Sequence, residues 1–272
     1  SFSLENSDTS LPVFAILGRI DSADEVFING QRIGGQGVFP PNFISAWNRD
    51  RVYRIPEGVL RPQGENVIAI RVYDKQKAGG ITKGPLGIYT TQLPQPLVDL
   101  TGNWKFKRGD NLKWKDASFN DTGFSDIRVP IAWDWEGHRK YDGFAWYRKE
   151  FGHLAIPEAE ELVLMLGKID DTDEAYLNGI LIGSTGNLDD TDFQETPGHY
   201  LENRAYEFSS SVLGRQNVLA VRVYDKRGHG GIYSGPVGIM TKETYQEYRE
   251  RLADSRKWKL DHTIDWLLGR DQ

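Results

Sequence analysis

The chain contains no cysteine, which excludes disulfide bonds, thiolate nucleophiles and cysteine-ligated zinc together, and leaves the compartment open. It is also short of positive charge. Its 33 Lys and Arg stand against 39 Asp and Glu, a net charge of -6 and a pI near 5.5, the opposite of the footprint that neutralises a phosphate backbone. Nucleic acid is therefore not an expected partner. No apolar run approaches the length needed to cross a bilayer, and Ser1-Phe2-Ser3-Leu4 has neither the basic nor the apolar region of a signal peptide. The chain is expected to be soluble and not to insert into a membrane, with a removed leader left open. Catalytic signatures are missing as well: there is no Gly-x-Ser-x-Gly elbow, no Gly-x-Gly-x-x-Gly and no phosphate loop. The histidines, His138, His153, His199, His229 and His262, include no pair at metal-ligand spacing.

What is present is 272 residues that are 39% hydrophobic and 12% aromatic, enough for one large or two ordinary cores. An internal repeat decides between them. Leu17-Gly18-Arg19-Ile20-Asp21 through Glu25-Val26-Phe27-Ile28-Asn29-Gly30 returns as Leu166-Gly167-Lys168-Ile169-Asp170 through Glu174-Ala175-Tyr176-Leu177-Asn178-Gly179, at an offset of 149. Asn66 to Ile88 returns as Asn217 to Ile239 at an offset of 151, with 15 of 23 positions identical. A period this long makes each copy a domain or most of one.

Each copy reads as strands. Glu25 to Ile28 and Glu174 to Leu177 run into Asn-Gly, the dipeptide that reaches positive φ at least cost, and Gln31 to Ile33 and Ile180 to Ile182 follow, which predicts two β-hairpins. Asn66 to Tyr73 and Asn217 to Tyr224 are nearly continuously apolar and β-branched, the pattern of core strands covered on both faces. The pairs Gly79-Gly80 and Gly230-Gly231 suggest a bulge or a close backbone approach. Between the copies, Gly102 to Phe106, Ile127 to Pro130 and Ala145 to Phe151 read as further strands of the second domain. Thr244 to Leu268, charged and set with Tyr245, Tyr248, Leu252, Ile264, Trp266 and Leu267, predicts one or two helices with a break near 255–259.

The string Leu100-Thr101-Gly102-Asn103-Trp104-Lys105-Phe106, then Val129-Pro130, then Tyr141-Asp142-Gly143-Phe144-Ala145-Trp146-Tyr147-Arg148-Lys149-Glu150-Phe151, resembles the sugar-binding jelly-roll domain of family-two glycoside hydrolases such as β-galactosidases. The run Ile169 to Gly179 is similar to the same galactose-binding-like domain within sialate O-acetylesterases. The resemblance implies an all-β fold: an incomplete galactose-binding-like β-sandwich over 1–95, a complete one over 96–242 and a C-terminal helical segment over 243–272. It further implies an ancillary module whose catalysis sits in other domains, in an extracytoplasmic (periplasmic or secreted) setting, and such sandwiches can hold a structural calcium. A similar module in bacterial membrane sensors implies the alternative of an extracytoplasmic sensor or scaffold region.

The acidic cluster Asp170, Asp171, Asp173 and Glu174, echoed by Asp21, Asp24 and Glu25, admits three roles. Such carboxylates cap backbone amides or pair with strand arginines such as Arg71 and Arg222, ligate calcium through Asp170, Asp171 and Asp173, or hydrolyse glycosides. No other cofactor is implied. Sugar recognition needs aromatic faces for pyranose C–H surfaces and polar groups for hydroxyls. Two regions mix them: Trp47, Asn48, Arg49 and Arg51, with the counterparts His199, Tyr200, Asn203 and Arg204, and the loop of Trp133, Trp135, His138 and Tyr141. The competing role is structural, with tryptophans plugging the sandwich ends and arginines paired to the acidic cluster. The expected function is a carbohydrate-binding-type module pair without catalysis, an accessory region of a glycoside hydrolase or sialate O-acetylesterase-like protein. Its expected partners are a glycan or other small polar ligand and neighbouring domains of a parent chain. A glycosidase in its own right is a third reading that no acid and nucleophile pair supports. Because Phe2 aligns with Phe151, the first copy lacks the early strands of the second. The chain is therefore expected to be a fragment of a longer protein, with that core covered in part by the helix with Trp258, Trp266 and Leu267; the alternatives are completion by the second domain or the helix, or strands donated by another molecule.

Overall fold

A computed structural model describes residues 1–4, 11–41, 43–75, 79–156, 160–188 and 199–257, without the side chains of 254–257. The fold is all-β with one C-terminal helix, in two compact units built on Ser1–Leu93 and Pro94–Ala253. None of the described helices is long and apolar enough to cross a membrane.

The first unit contains β1 (Phe2–Ser3), β2 (Val13–Asp21), β3 (Ala23–Ile28), β4 (Gln31–Gln36), β5 (Asp50–Ile55), β6 (Glu65–Asn66), β7 (Ile68–Tyr73), β8 (Gly80–Lys83) and β9 (Gly87–Thr90). β2 is the hub of one antiparallel sheet, with β5 on one side and β8 and β9 on the other, while β4, β3 and β7 form a second sheet and β1 pairs with β6. Alternation along the strands turns Ala15, Leu17 and Ile20 of β2 and Val26 and Ile28 of β3 into the core, where they meet Tyr53, Ile55 and Val59.

The second unit contains β10 (Val98–Asp99), β11 (Gly102–Arg108), β12 (Ser125–Val129), β13 (Gly143–Gly152), β14 (Glu161–Asp170), β15 (Thr172–Leu177), β16 (Ile180–Thr185), β17 (Asn203–Ser209), β18 (Gln216–Asp225) and β19 (Gly231–Thr241). Two sheets enclose its core: β10-β19-β14-β17 and β12-β11-β13-β18-β15-β16. Trp104, Phe106, Trp133 and Tyr147 are buried there among Leu164, Leu166, Val221, Val223, Ile232 and Ile239. The three strands expected between the copies are β11, β12 and β13. The helix α1 (Lys242–Lys257) follows β19, with an Arg251 to Glu247 ion pair of 2.6 Å one turn apart and Tyr248 buried. The expected continuation through Trp258, Ile264, Trp266 and Leu267 lies outside the described residues.

The repeated residues take the same positions in both units. Asn29 and Asn178 sit in the left-handed region at φ 50° and 52°, followed by Gly30 and Gly179 at 84°, and turn each hairpin as expected. The asparagine side chain is as important as its backbone. Asn178 accepts from Val218 N at 2.9 Å and donates to Val212 O and Asn217 Oδ1, both at 2.9 Å, and Asn29 does the same with Val67 N, Val59 O and Asn66 Oδ1 at 2.8–2.9 Å. Thus each turn is tied to the strand beside it.

One expectation requires correction. Asn66 to Tyr73 and Asn217 to Tyr224 read alike as fully covered strands, and β18 is one, but in β7 Ala69, Arg71 and Val72 are exposed. The difference lies in the neighbours. β18 is held between β13 and β15, with Trp114, Trp146 and Tyr176 packed outside Ala220, whereas among the described residues β7 pairs with β3 alone.

A bulge kinks β2 at Gly18 and β14 at Gly167, at φ 58° and 59°, where the neighbouring strand passes so closely that a Cβ would sit 2.0 Å from Lys83 O or 1.8 Å from Ser234 O. Glycine is obligatory there on both counts. Gly167→Ala is expected to destabilise the second unit by about 2 kcal/mol or more, read as a fall in melting temperature of several degrees. A melting temperature equal to the parent's would show that the bulge relaxes freely.

Candidate ligand-binding site

At one end of the second unit, three chain segments converge: the loop 133–142, the turn between β14 and β15, and the loop 225–231 between β18 and β19. What positions the middle segment is a buried ion pair. Arg204 Nε donates to Asp173 Oδ1 at 2.8 Å, Tyr206 OH donates to Asp173 Oδ2 at 2.7 Å, and the remaining guanidinium donors reach the carbonyls of Asp171 at 2.7 Å, of Glu202 at 2.8 Å and of His199. The first unit repeats this. Arg51 Nε meets Asp24 Oδ1 at 2.6 Å, Tyr53 OH meets Asp24 Oδ2 at 2.6 Å, and Arg51 also donates to Ala46 O, Ile20 O and Arg49 O. Both pairs are wholly buried.

Several expected ligand residues are thereby corrected. Arg51 and Arg204 have their donors engaged within the protein and no exposed surface, so neither can reach a ligand. Asp173 is not a cation ligand, because Arg204 and Tyr206 occupy both of its oxygens inside the core. Trp133 is fully buried, its indole N–H donating to Tyr141 O at 3.1 Å and its ring packed against Phe106, Tyr141 and Tyr147. Gly230 has no room for a side chain here: a Cβ would lie 2.1 Å from the Trp133 ring, so the expected close backbone approach is real. Tyr141 is half-buried and spends its hydroxyl on Phe144 O at 2.5 Å and Gly109 N at 3.1 Å. His138 packs on Phe106, with burial and then the Arg108 charge holding its pKa below the usual imidazole value.

Other residues do face solvent. Trp135 is half-buried, its ring centroid 5.3 Å from that of exposed His229. Asp134 joins the two loops by accepting from Lys140 N at 2.9 Å and Gly230 N at 3.2 Å, and lies 3.9 Å from His229 Nδ1. Tyr200 is exposed, and its carbonyl accepts from Tyr233 OH. Trp47 and Asn48 are exposed in the first unit. Arg71 and Arg222 pair with Glu25 and Glu174 at 3.0 and 3.1 Å.

Asp170, Asp171 and Asp225 each offer an oxygen within 4.8 Å of the others, and are the described residues that could hold a cation. Asp171 accepts from Lys226 N and Asp225 from Arg227 N, each at 2.9 Å, while the second oxygen of Asp225 is buried without a hydrogen bond. Burial, then the charges of Asp171 and Asp225, pushes Asp170 up to about 8. Burial, then Asp171, pushes Asp225 up to about 7. The first unit has no such trio at this turn: Ser22 stands for Asp171 and donates to Asp21 Oδ1 at 2.6 Å. Asp225, Asp134 and His229 were not selected from sequence. The repeated Arg-Val-Tyr-Asp-Lys ahead of Gly-Gly was the available signal for Asp225.

No family model matches the chain. Over 90 residues it is 31% identical to a β-glucuronidase of Streptococcus agalactiae serotype V, covering 31% of this chain and 14% of that protein. The chain is therefore similar to part of a glycoside hydrolase. Solved structures similar to about half of it include a β-glycosidase from Bacteroides vulgatus (22% identity, TM-score 0.39, 53% of this chain and 20% of that one). Others are the β-glucuronidase of Bacteroides uniformis (22%, 0.38, 50% and 16%) and a glycosyl hydrolase family 2 member from Bacteroides cellulosilyticus (20%, 0.37, 49% and 19%).

Two expected outcomes follow from the geometry. Arg204→Leu leaves Asp173 charged and unpaired in the core, and is expected to cost about 3–5 kcal/mol, measured by denaturant unfolding. For the raised carboxylates, the folded values exceed the unfolded 3.8, so their protonation-linked stability is whole below that value and is lost as pH rises through about 7 and about 8. Stability is expected to fall between about pH 5 and about pH 9, and Asp170→Asn to flatten that slope. An unchanged slope in the variant would remove Asp170 from this role.

Proposed function

We propose that the chain is a non-catalytic carbohydrate-binding-type module pair, a tandem of jelly-roll, galactose-binding-like sandwiches that serves as an accessory region of an extracytoplasmic glycoside hydrolase. The observation that carries this reading is the Trp135 and His229 ring pair beside Asp134, with the carboxylates of Asp170 and Asp171 on the neighbouring turn. An indole face stacks on the C–H surface of a pyranose, and carboxylates accept hydrogen bonds from its hydroxyls. The similarity to part of a β-glucuronidase supports the same setting.

The carboxylates supply little for hydrolysis. Asp173 and Asp134 are engaged in holding the fold, and Asp225 is wholly buried. Catalysis would require an acid and a nucleophile that both reach the glycosidic bond.

Calorimetric titration with methyl β-glucuronide and methyl β-galactoside tests the reading. Binding is expected for at least one sugar, and Trp135→Ala is expected to weaken it by about tenfold or more, as loss of a stacking face does, at an unchanged melting temperature. Trp133→Ala is expected instead to lower the melting temperature sharply, by about 3–5 kcal/mol of stability. Failure of both sugars to bind at millimolar concentration would sink the proposal, as would turnover of a chromogenic glucuronide by the purified chain.

A further inference from the structure

At the sandwich end of the second unit, one carboxylate oxygen is left out of the hydrogen-bond network. Asp225 is fully buried at the end of β18, where its Oδ1 accepts from Arg227 N at 2.9 Å and its Oδ2 is buried with no hydrogen-bond partner. A bare carboxylate oxygen out of water is costly unless a donor or a cation meets it. What gathers beside it is negative charge. Asp170 and Asp171, on the turn between β14 and β15, each bring an oxygen within 4.8 Å of one from Asp225 and of one another. Oxygens within that distance can surround a single ion at about 2.4 Å, the ordinary calcium–oxygen separation.

The arginines of this end are committed elsewhere. Arg204 gives its donors to Asp173 and to backbone carbonyls, and Arg222 is held by Asp110 and Glu174. Asp171 accepts from Lys226 N at 2.9 Å, so two backbone amides fix carboxylates in position without neutralising them. The first unit supplies the comparison. There Asp21, Ser22 and Asp74 stand for Asp170, Asp171 and Asp225, and the Ser22 hydroxyl donates to Asp21 Oδ1 at 2.6 Å. A hydroxyl meets a carboxylate at that turn, where the second unit sets another carboxylate on the same scaffold.

We infer that Asp170, Asp171 and Asp225 bind a hard divalent cation of the calcium type. The donor set is oxygen alone, which suits calcium or magnesium over zinc or copper. It comes from a turn and a strand end, and Asp170 and Asp171 are half-buried, so waters can complete the large, irregular shell of calcium. Asp225 supplies the ligand that Asp173, locked to Arg204, cannot. Bound there, the ion joins the β14–β15 turn to the loop 225–231, which Asp134 ties to the loop of Trp135 by accepting from Gly230 N at 3.2 Å. Its binding does not depend on a sugar.

Terbium, a luminescent ion that takes calcium's ligands, tests the site by titration into the intact chain with no sugar present. Trp133 is the antenna, since a Cβ on Gly230 would lie 2.1 Å from its ring and 2.6 Å from Asp225 Oδ2, which puts an ion in the trio within reach of energy transfer. Tryptophan-sensitised terbium emission is expected. Calcium is expected to displace terbium with a dissociation constant of about a millimolar or tighter, and magnesium about tenfold less well. At about ten times that constant, calcium is expected to raise the melting temperature by a few degrees and to slow hydrogen exchange at the Lys226 and Arg227 amides. Asp171→Ser brings in the residue that the first unit has at this position, and is expected to weaken calcium binding by about tenfold or more. Asp225→Asn keeps the shape and removes the buried charge; it is expected to weaken calcium as much without lowering the metal-free melting temperature, whereas a purely structural carboxylate would be lost at a cost in stability. Calcium binding that persists in both variants would place the ion elsewhere and overturn the inference. So would a parent chain without sensitised emission or calcium displacement, or magnesium competing as well as calcium.

Discussion

The buried pair of Arg204 and Asp173 is the interaction on which the end of the second unit depends. Each partner would carry an intolerable desolvation cost alone, and the pair is tolerated because all three guanidinium nitrogens and both carboxylate oxygens are hydrogen-bonded. Those engagements are long-range. Asp173 is the second residue of β15, Arg204 belongs to β17, and the carbonyl of Asp171 belongs to the turn, so one guanidinium joins both sheets to the segment that carries Asp170 and Asp171. The carboxylates at the surface are crowded because the charge beneath them fixes the backbone that presents them.

The same lock in the first unit holds a different surface. Arg51, Asp24 and Tyr53 reproduce the geometry, yet Ser22 replaces Asp171, and its hydroxyl donates a hydrogen bond to Asp21 where the second unit sets a third carboxylate. The loop that supplies Trp133, Asp134 and Trp135 precedes β13, in a stretch that occurs once in the chain. Scaffold is thus shared between the units, and the aromatic and acidic chemistry at the sandwich end is carried by the second.

Most of the fold was legible because its signals are local. Asn-Gly turns, β-branched runs and a repeat at nearly constant spacing specify hairpins and core strands without reference to distant residues. The bulge at Gly167 and the packing of Gly230 on Trp133 depend on a strand arriving from elsewhere, and glycine spacing marks the place without the cause. The site was legible in outline only. Trp133 and Trp135 are two residues apart with the same side chain, but the turn that contains them sends one into the core and leaves the other at the surface. Arginines read as ligand contacts proved to be core, because an arginine can satisfy five donors internally and sequence does not say where the carbonyls lie.

The exposure of β7 shows why identical sequence does not secure identical burial. Period-two alternation states which side chains point inward, and Val72 and Val223 obey it equally. Whether inward means dry depends on lateral strands, which the residue cannot specify by itself. In the second unit β13, β11 and the rings of Trp114, Trp146 and Tyr176 cover β18 from both directions, so the two copies differ most where their sequences agree best.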